Sequence, residues 1–146
     1  MEIAVLALGC FWGPEIKFGK LEGVVKTEVG YCGGNSENTT YEKVCSGNTN
    51  HAEVVKLEFD PVKISYEKIL EYFFNIHDPT TLNAQGPDIG TQYRSEIFYL
   101  NDNQKNIAKK IIEENNSKLA GRVVTKLSPL KNYCKAEEYH QKYLDK

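Results

Sequence analysis

Hydrophobic and polar residues along the chain follow a period of two in several segments, which predicts strands. Residues 3–8 (IAVLAL) are apolar without interruption, as in a strand that is buried on both faces at the centre of a sheet. Residues 25–31 alternate and end at the turn YCGG, which is typical of a half-buried strand. A third alternating segment covers residues 53–59 and places Glu53 on its apolar face. The pattern therefore predicts a sheet with one acidic side chain on its apolar side.

A period of 3.6 residues marks the helices. The apolar stripe of residues 66–74 predicts a helix that packs on the core, and a second stripe over 107–112 predicts a long amphipathic helix. An earlier helix is predicted to begin after GCFWG, with Gly13 as its N-cap and Pro14 as its first helical residue. A short helical piece is predicted for residues 41–45.

Strands and helices alternate along the chain, with further strands predicted near residues 93–99 and 123–127. Residues 80–90 form a polar, glycine-containing stretch that is long for a compact domain and is therefore a candidate functional loop. The alternation predicts an α/β (α+β) fold, a two-layer sandwich in which helices cover a small mixed or antiparallel sheet. Because no linker or internal repeat interrupts the sequence, we expect one domain over residues 1–146.

The composition excludes several classes of partner and cofactor. A formal net charge of −2 over 146 residues gives no basic excess for binding nucleic acid or an anionic membrane. The apolar run at residues 3–8 is too short to span a membrane and follows an acidic residue, so we expect a cytoplasmic protein. The four cysteines form no CxxC pair and the three histidines are scattered, so we expect free thiols and no metal site.

Cys10 is the first candidate for chemistry, because it lies between the end of the first strand and the start of a helix. Backbone N–H groups and the helix dipole at such a position stabilise a thiolate, which predicts a lowered pKa and a nucleophilic thiol. A buried cysteine that acts as a small apolar residue is the alternative. Phe11 and Trp12 follow directly, and two adjacent rings in a turn do not easily both point inward, so at least one is expected to line a pocket.

Glu53 is the second candidate, because a carboxyl group on an apolar face is desolvated and its pKa rises toward protonation. Such a group is suited to general acid catalysis. The hydroxyls of Tyr31, Tyr41 and Tyr93 lie near turns or strand starts and could donate to an anionic oxygen. Together with a reactive thiol and adjacent rings, these groups describe a pocket for a small apolar group with a polarised oxygen, such as a methyl sulfoxide.

Two other functions fit parts of this pattern. His51 could act as a base for Cys10 in a cysteine hydrolase, which requires the two side chains to lie within hydrogen-bond reach. Alternatively, the protein could be a non-catalytic thiol redox sensor in which Cys10 is oxidised reversibly, but that hypothesis leaves Glu53 without a role.

Several long motifs occur in order along the chain: GCFWGPE, GYCGG, TTYEKVCSGNTNHAEVV, FDP, HDPTTLNAQGPDIGTQYRS and AEEYHQKYL. With these motifs the chain resembles the peptide methionine sulfoxide reductases of the A type over essentially its whole length. The resemblance implies a two-layer α/β sandwich with a ferredoxin-like core and an enzyme that reduces the S epimer of methionine sulfoxide, free or in oxidised proteins. It implies no metal and no organic cofactor, and an external thiol as the reductant.

The resemblance also implies catalytic roles for four residues. Cys10 would be the nucleophile that attacks the sulfoxide sulfur, and Glu53 would protonate the oxygen, giving methionine and a Cys10 sulfenic acid. Tyr41 from TYEKV and Tyr93 from GTQYRS would hold that oxygen through their hydroxyls.

Three further residues are implied to bind the substrate. The rings of Phe11 and Trp12 would hold the methyl group, and Asp88 would help to anchor the substrate together with ordered water. Methionine sulfoxide and a thiol reductant are thus the implied partners.

The sequence departs from many relatives in how Cys10 would be regenerated. Those relatives carry resolving cysteines in a glycine-rich C-terminal tail, whereas this sequence ends at YHQKYLDK. We therefore expect a mechanism with a single catalytic cysteine, in which thioredoxin, or glutathione with glutaredoxin, reduces the sulfenic acid. Cys134 and Cys32 are the alternatives as internal resolving thiols, because sequence separation does not determine their distance from Cys10.

Overall fold

The computed structural model of the chain describes residues 1–36 and 38–145. Within these residues the strands and helices follow one another in the order β1 (Glu2–Leu8), α1 (Trp12–Gly19), β2 (Val24–Cys32), α2 (Tyr41–Cys45), β3 (Ala52–Phe59), α3 (Tyr66–Asn75), β4 (Ala84–Gln85), β5 (Asp88–Ile89), β6 (Ser95–Tyr99), α4 (Asp102–Lys118), β7 (Lys126–Pro129) and β8 (Cys134–Lys135). Single turns of 3₁₀ helix cover Thr91–Tyr93, Glu138–His140 and Tyr143–Asp145.

In the described part of the chain, six strands form one sheet in the order β7-β6-β1-β3-β2-β8. Strand β1 lies in the middle, antiparallel to β3 and β6, and β2 is antiparallel to β3 and β8. Strands β6 and β7 run parallel, so the sheet is mixed and mostly antiparallel. Residues 4–8 of β1 are all buried, which confirms the central strand predicted from the uninterrupted apolar run.

The helices cover one face of the sheet. Helix α1 packs against β2, while α3 and α4 pack against each other and against β1 and β6. The apolar stripe of α3 is buried in this core, as its period predicts: Tyr66, Ile69, Leu70, Phe73 and Phe74. The opposite face carries a smaller cluster: Val5, Ala7, Cys32, Ala52, Val54 and Phe98. This arrangement of one helix layer on one sheet confirms the predicted two-layer α/β fold.

Helix α1 begins earlier than its sequence pattern predicts. Its first residue is Trp12 and its N-cap is Phe11, so the prediction of Gly13 as N-cap is wrong. The N–H of Glu15 donates to the carbonyl of Phe11 at 3.2 Å and closes the first helical turn. Pro14 is tolerated inside that turn because the first N–H groups of a helix have no intrahelical partner.

Two strands begin later than predicted. Strand β6 starts at Ser95, because the residues before it form the 3₁₀ turn Thr91–Tyr93. Strand β7 starts at Lys126, because the preceding backbone is engaged elsewhere: the N–H of Val124 donates to the carbonyl of Pro79 at 2.8 Å.

The outer edge of β2 is partly closed by a side chain. Strand β8 pairs with β2 at Gly30 and Tyr31. At Val29 the amide of Gln141 takes the place of a neighbouring strand: its Oε1 accepts from the Val29 N–H at 2.9 Å and its Nε2 donates to the Val29 carbonyl at 2.9 Å. The AEEYHQ motif therefore folds back along this edge of the sheet.

None of the helices in residues 1–36 and 38–145 has the length and apolar character needed to cross a membrane. The same residues contain no group of three or more His, Cys, Asp or Glu side chains that could hold a metal ion.

Candidate active site

Cys10 lies between the end of β1 and the start of α1, as predicted, and its side chain is half-buried. Burial has the largest effect on this thiol and raises the pKa of Cys10 to about 11. The backbone N–H of Trp12 acts in the opposite direction. Negative charges on Glu53, Asp88 and Cys45 also contribute to this increase. The predicted lowering of this pKa is therefore wrong, because one N–H group at the helix start does not compensate for lost water and nearby charges.

Glu53 lies on β3 opposite Tyr31 of β2, with its side chain on the helix-covered face. The residue is 1% exposed, and burial raises the pKa of Glu53 to about 8, as its apolar-face position predicts. The carboxyl group is therefore mainly protonated at neutral pH. Its Oε1 accepts from the backbone N–H of Phe11 at 3.3 Å, whereas Oε2 has no hydrogen-bond partner among the described residues. This second oxygen is thus a buried polar atom whose hydrogen-bonding capacity is unused by the described residues.

Phe11 and Trp12 take different positions. Phe11 is buried, with its ring centroid 5.7 Å from that of Tyr31 and 5.3 Å from that of His140. Trp12 is half-buried: its indole N–H donates to His140 Nδ1 at 3.0 Å, and its ring stacks on Tyr143 with centroids 4.0 Å apart. One ring of the pair is thus in the core and the other is partly exposed, so the two rings do not both point inward, as predicted.

Helix α2 brings Tyr41 and Cys45 to this region. The ring of Tyr41 lies 4.4 Å from that of His140, and its side chain interacts with the thiol of Cys45 one helical turn further along. Burial, followed by the interaction with Cys45, raises the pKa of Tyr41 well above the usual tyrosine range. The hydroxyl therefore keeps its proton and can act as a hydrogen-bond donor.

Tyr31 is not one of the site's donors. Its hydroxyl is buried and donates to Glu137 Oε1 at 2.8 Å, so the anionic oxygen that it serves belongs to a carboxylate of the protein. Glu137 uses its other oxygen to accept from the backbone N–H of Tyr41 at 3.0 Å. The glutamate thus links β2 to the first turn of α2 and supports the position of Tyr41.

Tyr93 and Asp88 come from the long loop between α3 and β6. This loop contains the two-stranded hairpin of β4 and β5, which the sequence pattern did not predict. Burial raises the pKa of Tyr93 to about 12, and charges at the site, that of Glu53 first among them, add to the effect. The charge of Asp88 in turn raises the pKa of Cys10 and of Glu53. These electrostatic interactions place the loop residues at the same site as the thiol and the buried acid.

His51 does not pair with Cys10. Its Nε2 lies 2.8 Å from the carbonyl oxygen of Ser36, and Gly34 packs so closely on the ring that an added Cβ would lie 2.1 Å from Nδ1. The Nδ1 atom has no hydrogen-bond partner in the part of the chain that the structure describes. The thiol–imidazole pair that a cysteine hydrolase requires is therefore not formed, and His51 supports the YCGG turn instead.

The remaining cysteines, all free thiols, differ in which side of the sheet they face. Cys32 is fully buried in the smaller cluster, where its thiol donates to a backbone carbonyl at 3.2 Å. Cys134 pairs with Tyr31 across β2 and β8 and so faces the helix-covered side, with its thiol 3.8 Å from a backbone carbonyl. Cys45 is exposed on α2, and its charge acts on Cys10.

Sequence reasoning assigned no role to three residues that shape the site: Glu137, His140 and Tyr143. All three belong to the AEEYHQKYL segment, and the bond between Trp12 and His140 joins residues 128 positions apart. The only feature of the sequence that could have indicated such a role is the density of aromatic and acidic residues in that segment. Its contact with α1 depends on the tertiary fold and has no local pattern.

Comparison with known proteins identifies the family of this chain. A family profile described as peptide methionine sulfoxide reductase matches residues 2–146. A relative from Pelagibacter ubique named peptide methionine sulfoxide reductase MsrA is 75% identical over 146 residues, which cover 100% of this chain and 99% of the relative. A relative of the same name from Methanothermobacter thermautotrophicus is 52% identical over 148 residues, covering 99% of this chain and 87% of the relative.

Solved structures agree with this assignment. Mxr1 from Saccharomyces cerevisiae in its reduced form matches with a TM-score of 0.94 at 41% identity, over 99% of this chain and 84% of Mxr1. Methionine sulfoxide reductase A of Corynebacterium diphtheriae matches with a TM-score of 0.95 at 39% identity, over 99% and 74%. Mxr1 in complex with Trx2 matches with a TM-score of 0.70 at 28% identity, over 97% and 84%. The motifs, the fold and these matches lead to one conclusion: the chain belongs to the peptide methionine sulfoxide reductases of the A type and is an oxidoreductase.

Proposed function

We propose that this enzyme reduces the S epimer of methionine sulfoxide, free or within oxidised proteins, to methionine, with residues 1–146 acting as one catalytic domain. The observation that carries the proposal is the half-buried thiol of Cys10 close to Glu53, a buried carboxyl group that is protonated at neutral pH and has one oxygen without a partner. A sulfoxide needs both groups, because its sulfur accepts a nucleophile and its oxygen leaves only after protonation.

In the proposed reaction, the sulfur of Cys10 forms a bond to the sulfoxide sulfur while Glu53 transfers its proton to the sulfoxide oxygen. The bond between the substrate's sulfur and oxygen then breaks, as does the bond between the two sulfurs, and the oxygen becomes bonded to the Cys10 sulfur as a sulfenic acid. The methionine sulfur gains two electrons and the Cys10 sulfur loses two. The Cys10 thiol gives its proton to the Glu53 carboxylate, so Glu53 is protonated again at the end of the step.

Five further residues are proposed to hold the substrate in this geometry. The hydroxyls of Tyr41 and Tyr93 donate to the sulfoxide oxygen, which their raised pKa values favour because both remain protonated. The rings of Phe11 and Trp12 contact the methyl group. Asp88, whose charge acts on Cys10, anchors the substrate through ordered water.

We further propose that an external thiol reduces the Cys10 sulfenic acid directly, with thioredoxin, or glutathione and glutaredoxin, as the reductant and no metal or organic cofactor. The structure of Mxr1 with Trx2 supports the thioredoxin route for a related protein. Cys32 lies on the other face of the sheet, and the thiol of Cys134 lies 3.8 Å from a backbone carbonyl, which supports an external reductant over either thiol. The four free thiols also suit a reducing compartment, and we place the enzyme in the cytoplasm.

Thiol counting after one equivalent of substrate tests both parts of the proposal. With the S epimer we expect one of the four thiols to be lost, that of Cys10, and with the R epimer, the matched control, we expect no loss. A dimedone adduct on Cys10 would identify the sulfenic acid. Loss of two thiols would contradict direct external reduction, and the same count in Cys45→Ser would then show whether Cys45, the exposed thiol near the site, is the internal partner.

A thiol lost to hydrogen peroxide but not to the sulfoxide would instead favour a redox sensor. In that case Glu53→Gln would leave the oxidation rate of Cys10 within about twofold, because peroxide oxidation does not require this carboxyl group as an acid.

A further inference from the structure

The loop of residues 78–94, which supplies Asp88 and Tyr93, is closed at its two ends by a hydrogen bond. His77 directly precedes the loop and Ser95 directly follows it. The Nε2 atom of His77 lies 2.7 Å from Ser95 Oγ, and its Nδ1 atom lies 2.6 Å from the carbonyl oxygen of Phe73 in α3. The imidazole ring therefore joins the end of α3 to the start of β6. We call this pair of residues, His77 and Ser95, the neck of the loop.

The directions of these hydrogen bonds are determined by the Phe73 carbonyl, which can only accept. The proton of the His77 ring is therefore on Nδ1. Burial lowers the pKa of His77 to about 4, so the ring is neutral near pH 7 and its Nε2 accepts from the Ser95 hydroxyl. Having donated its proton, Ser95 Oγ accepts from Thr125 Oγ1, which lies 2.7 Å away just before β7. The donor and the acceptor of each hydrogen bond in this series are therefore determined.

The neck of this loop lies beside the strand that leads to Cys10. Ser95 is paired with Leu8 in the ladder between β1 and β6. Within the loop, Gln85 packs against Gly9, where an added Cβ would lie 2.9 Å from the Gln85 side chain. The Gln85 amide also accepts from the N–H of Asp78 at 3.1 Å and donates to the carbonyl of Asp78. The first part of the loop is thus held against the residue that precedes the thiol.

Backbone hydrogen bonds continue from this anchored part to the two functional positions. The N–H of Gly90 donates to the carbonyl of Asn83 at 2.9 Å, and the N–H of Tyr93 donates to the carbonyl of Gly90 at 3.0 Å. Asp88 lies in β5, which pairs with β4 inside the same closed segment. Movement of the neck would therefore displace both side chains relative to Cys10.

We propose that His77 and Ser95 are positioning residues for the reductase: their hydrogen bond closes the loop of residues 78–94 and thereby holds Asp88 and Tyr93 against Cys10 and Glu53. The inference rests on the proposed function, because it assumes that Asp88 and Tyr93 act on the sulfoxide. Neither His77 nor Ser95 is a catalytic residue: Ser95 is buried, His77 is partly buried, and neither is among the groups that act on the Cys10 thiol.

The test combines His77→Asn, Ser95→Ala and the double variant. Asparagine keeps an N–H donor for Phe73 but is too short to reach Ser95, and alanine removes the partner hydroxyl. Thr125→Val, which removes only the last hydroxyl of the chain, is the matched control. For each variant, kcat and KM are measured with an S-sulfoxide peptide and dithiothreitol, per mole of folded protein. Protection of the buried Cys32 from iodoacetamide gives the folded fraction.

We expect kcat/KM to fall roughly 10- to 100-fold in each single variant, through kcat more than KM, because misplacement of reacting groups by about an ångström has effects of this size. The double variant should be no slower than the slower single variant, since both changes break the same bond. The rate of Cys10 alkylation should not fall, because moving the charge of Asp88 away from Cys10 lowers the pKa of this thiol. Thr125→Val should retain most of the activity.

Two results would overturn the proposal. Normal kcat/KM per folded molecule with a lowered Tm would show that His77 and Ser95 only stabilise the fold, and losses that multiply in the double variant would show that they act independently. Parallel measurements on Asp88→Asn and Tyr93→Phe separate this failure from failure of the proposed function. If those variants are slow while His77→Asn is normal, the loop closure is wrong; if they are normal, the assigned roles of Asp88 and Tyr93 are wrong.

Discussion

Cys10 and Cys32 lie at the ends of β1 and β2 on opposite sides of one sheet, and burial raises the pKa of each thiol to about 11. Their surroundings otherwise differ. Cys10 is half-buried beside a protonated carboxyl group, whereas Cys32 is 0% exposed and its thiol donates to the carbonyl of Lys131. A displaced pKa is therefore common to the cysteine proposed as the nucleophile and to a structural cysteine in this protein. Access and a nearby proton donor are what distinguish them.

The pKa of Glu53 lies below that of Cys10. The acid loses its proton near pH 8 and the thiol near pH 11, so the pair carries one negative charge between these values. That charge rests mainly on Glu53, and the reactive arrangement, thiolate with carboxylic acid, is a minor tautomer of the same charge state. Transfer of one proton between the two groups is enough to form it.

The largest effect is expected from replacing the thiol of Cys10. Cys10→Ser should reduce turnover of S-methionine sulfoxide with dithiothreitol to the uncatalysed level, because a thiol can take up the sulfoxide oxygen to form a sulfenic acid and a serine hydroxyl cannot. Cys32→Ser, the matched change on the other face, should keep at least about half of the activity, since a hydroxyl can also donate to Lys131. Normal turnover by Cys10→Ser would contradict the assignment of the nucleophile.

Replacing the proton donor should give the next largest effect. Glu53→Gln should lower kcat/KM roughly 10²- to 10⁴-fold, the range typical of a lost general acid. Glu58→Gln, a change on the polar face of the same strand, serves as the control and should be nearly normal. The comparison is made from initial rates at one pH with saturating reductant. A loss of less than twofold in Glu53→Gln would remove Glu53 from the mechanism.

The pH dependence of kcat/KM distinguishes the buried pair of Cys10 and Glu53 from a single thiol with a low pKa. Because the singly charged pair forms as pH rises through the pKa of Glu53, kcat/KM should increase about tenfold per pH unit below pH 8 and then level off toward pH 11. In Glu53→Gln the increase should continue above pH 8, since the thiol alone then titrates. Rates that fall between pH 6 and pH 8 would instead indicate a thiolate already present at low pH.

The smallest effect is expected from a single hydroxyl at the substrate oxygen. Tyr93→Phe should lower kcat/KM about tenfold, which corresponds to about 1.4 kcal/mol for one hydrogen bond to a developing charge. Tyr41 would supply the second donor, so the loss in either single variant is partial. Tyr99→Phe, on β6 beside Lys105, is the control. Equal rates for wild type and the Tyr41→Phe, Tyr93→Phe double variant would contradict the proposed oxygen-binding role.

The sequence predicted those parts of the molecule that depend on local periodicity. The central strand β1, the buried stripe of α3 and the apolar-face position of Glu53 follow from apolar spacing, because a strand or helix exposes its residues to the core at fixed intervals. The raised pKa of Glu53 follows from the same spacing.

The environment of Cys10 could not be predicted in this way. Its burial and the charges around it come from segments distant in sequence, including the loop with Asp88 and helix α2 with Cys45. The local signal, a helix N-terminus, was correct but weaker than desolvation. The contact of Trp12 with His140 likewise arises only when the C-terminal segment folds across α1. Tertiary packing decided each of these features.

The amide of Gln141 at the edge of β2 has a consequence for how this protein behaves at high concentration. An open sheet edge is a template on which other extended chains can add and start aggregates. Here Gln141 occupies both polar groups of Val29, β8 covers the next residues, and a β-bulge between Val24 and Lys26 disturbs the register of what is left. Under the proposed function the substrates include oxidised proteins, so the enzyme would meet other polypeptide chains repeatedly. Because this edge of the sheet is covered, such chains cannot pair with it and start aggregation.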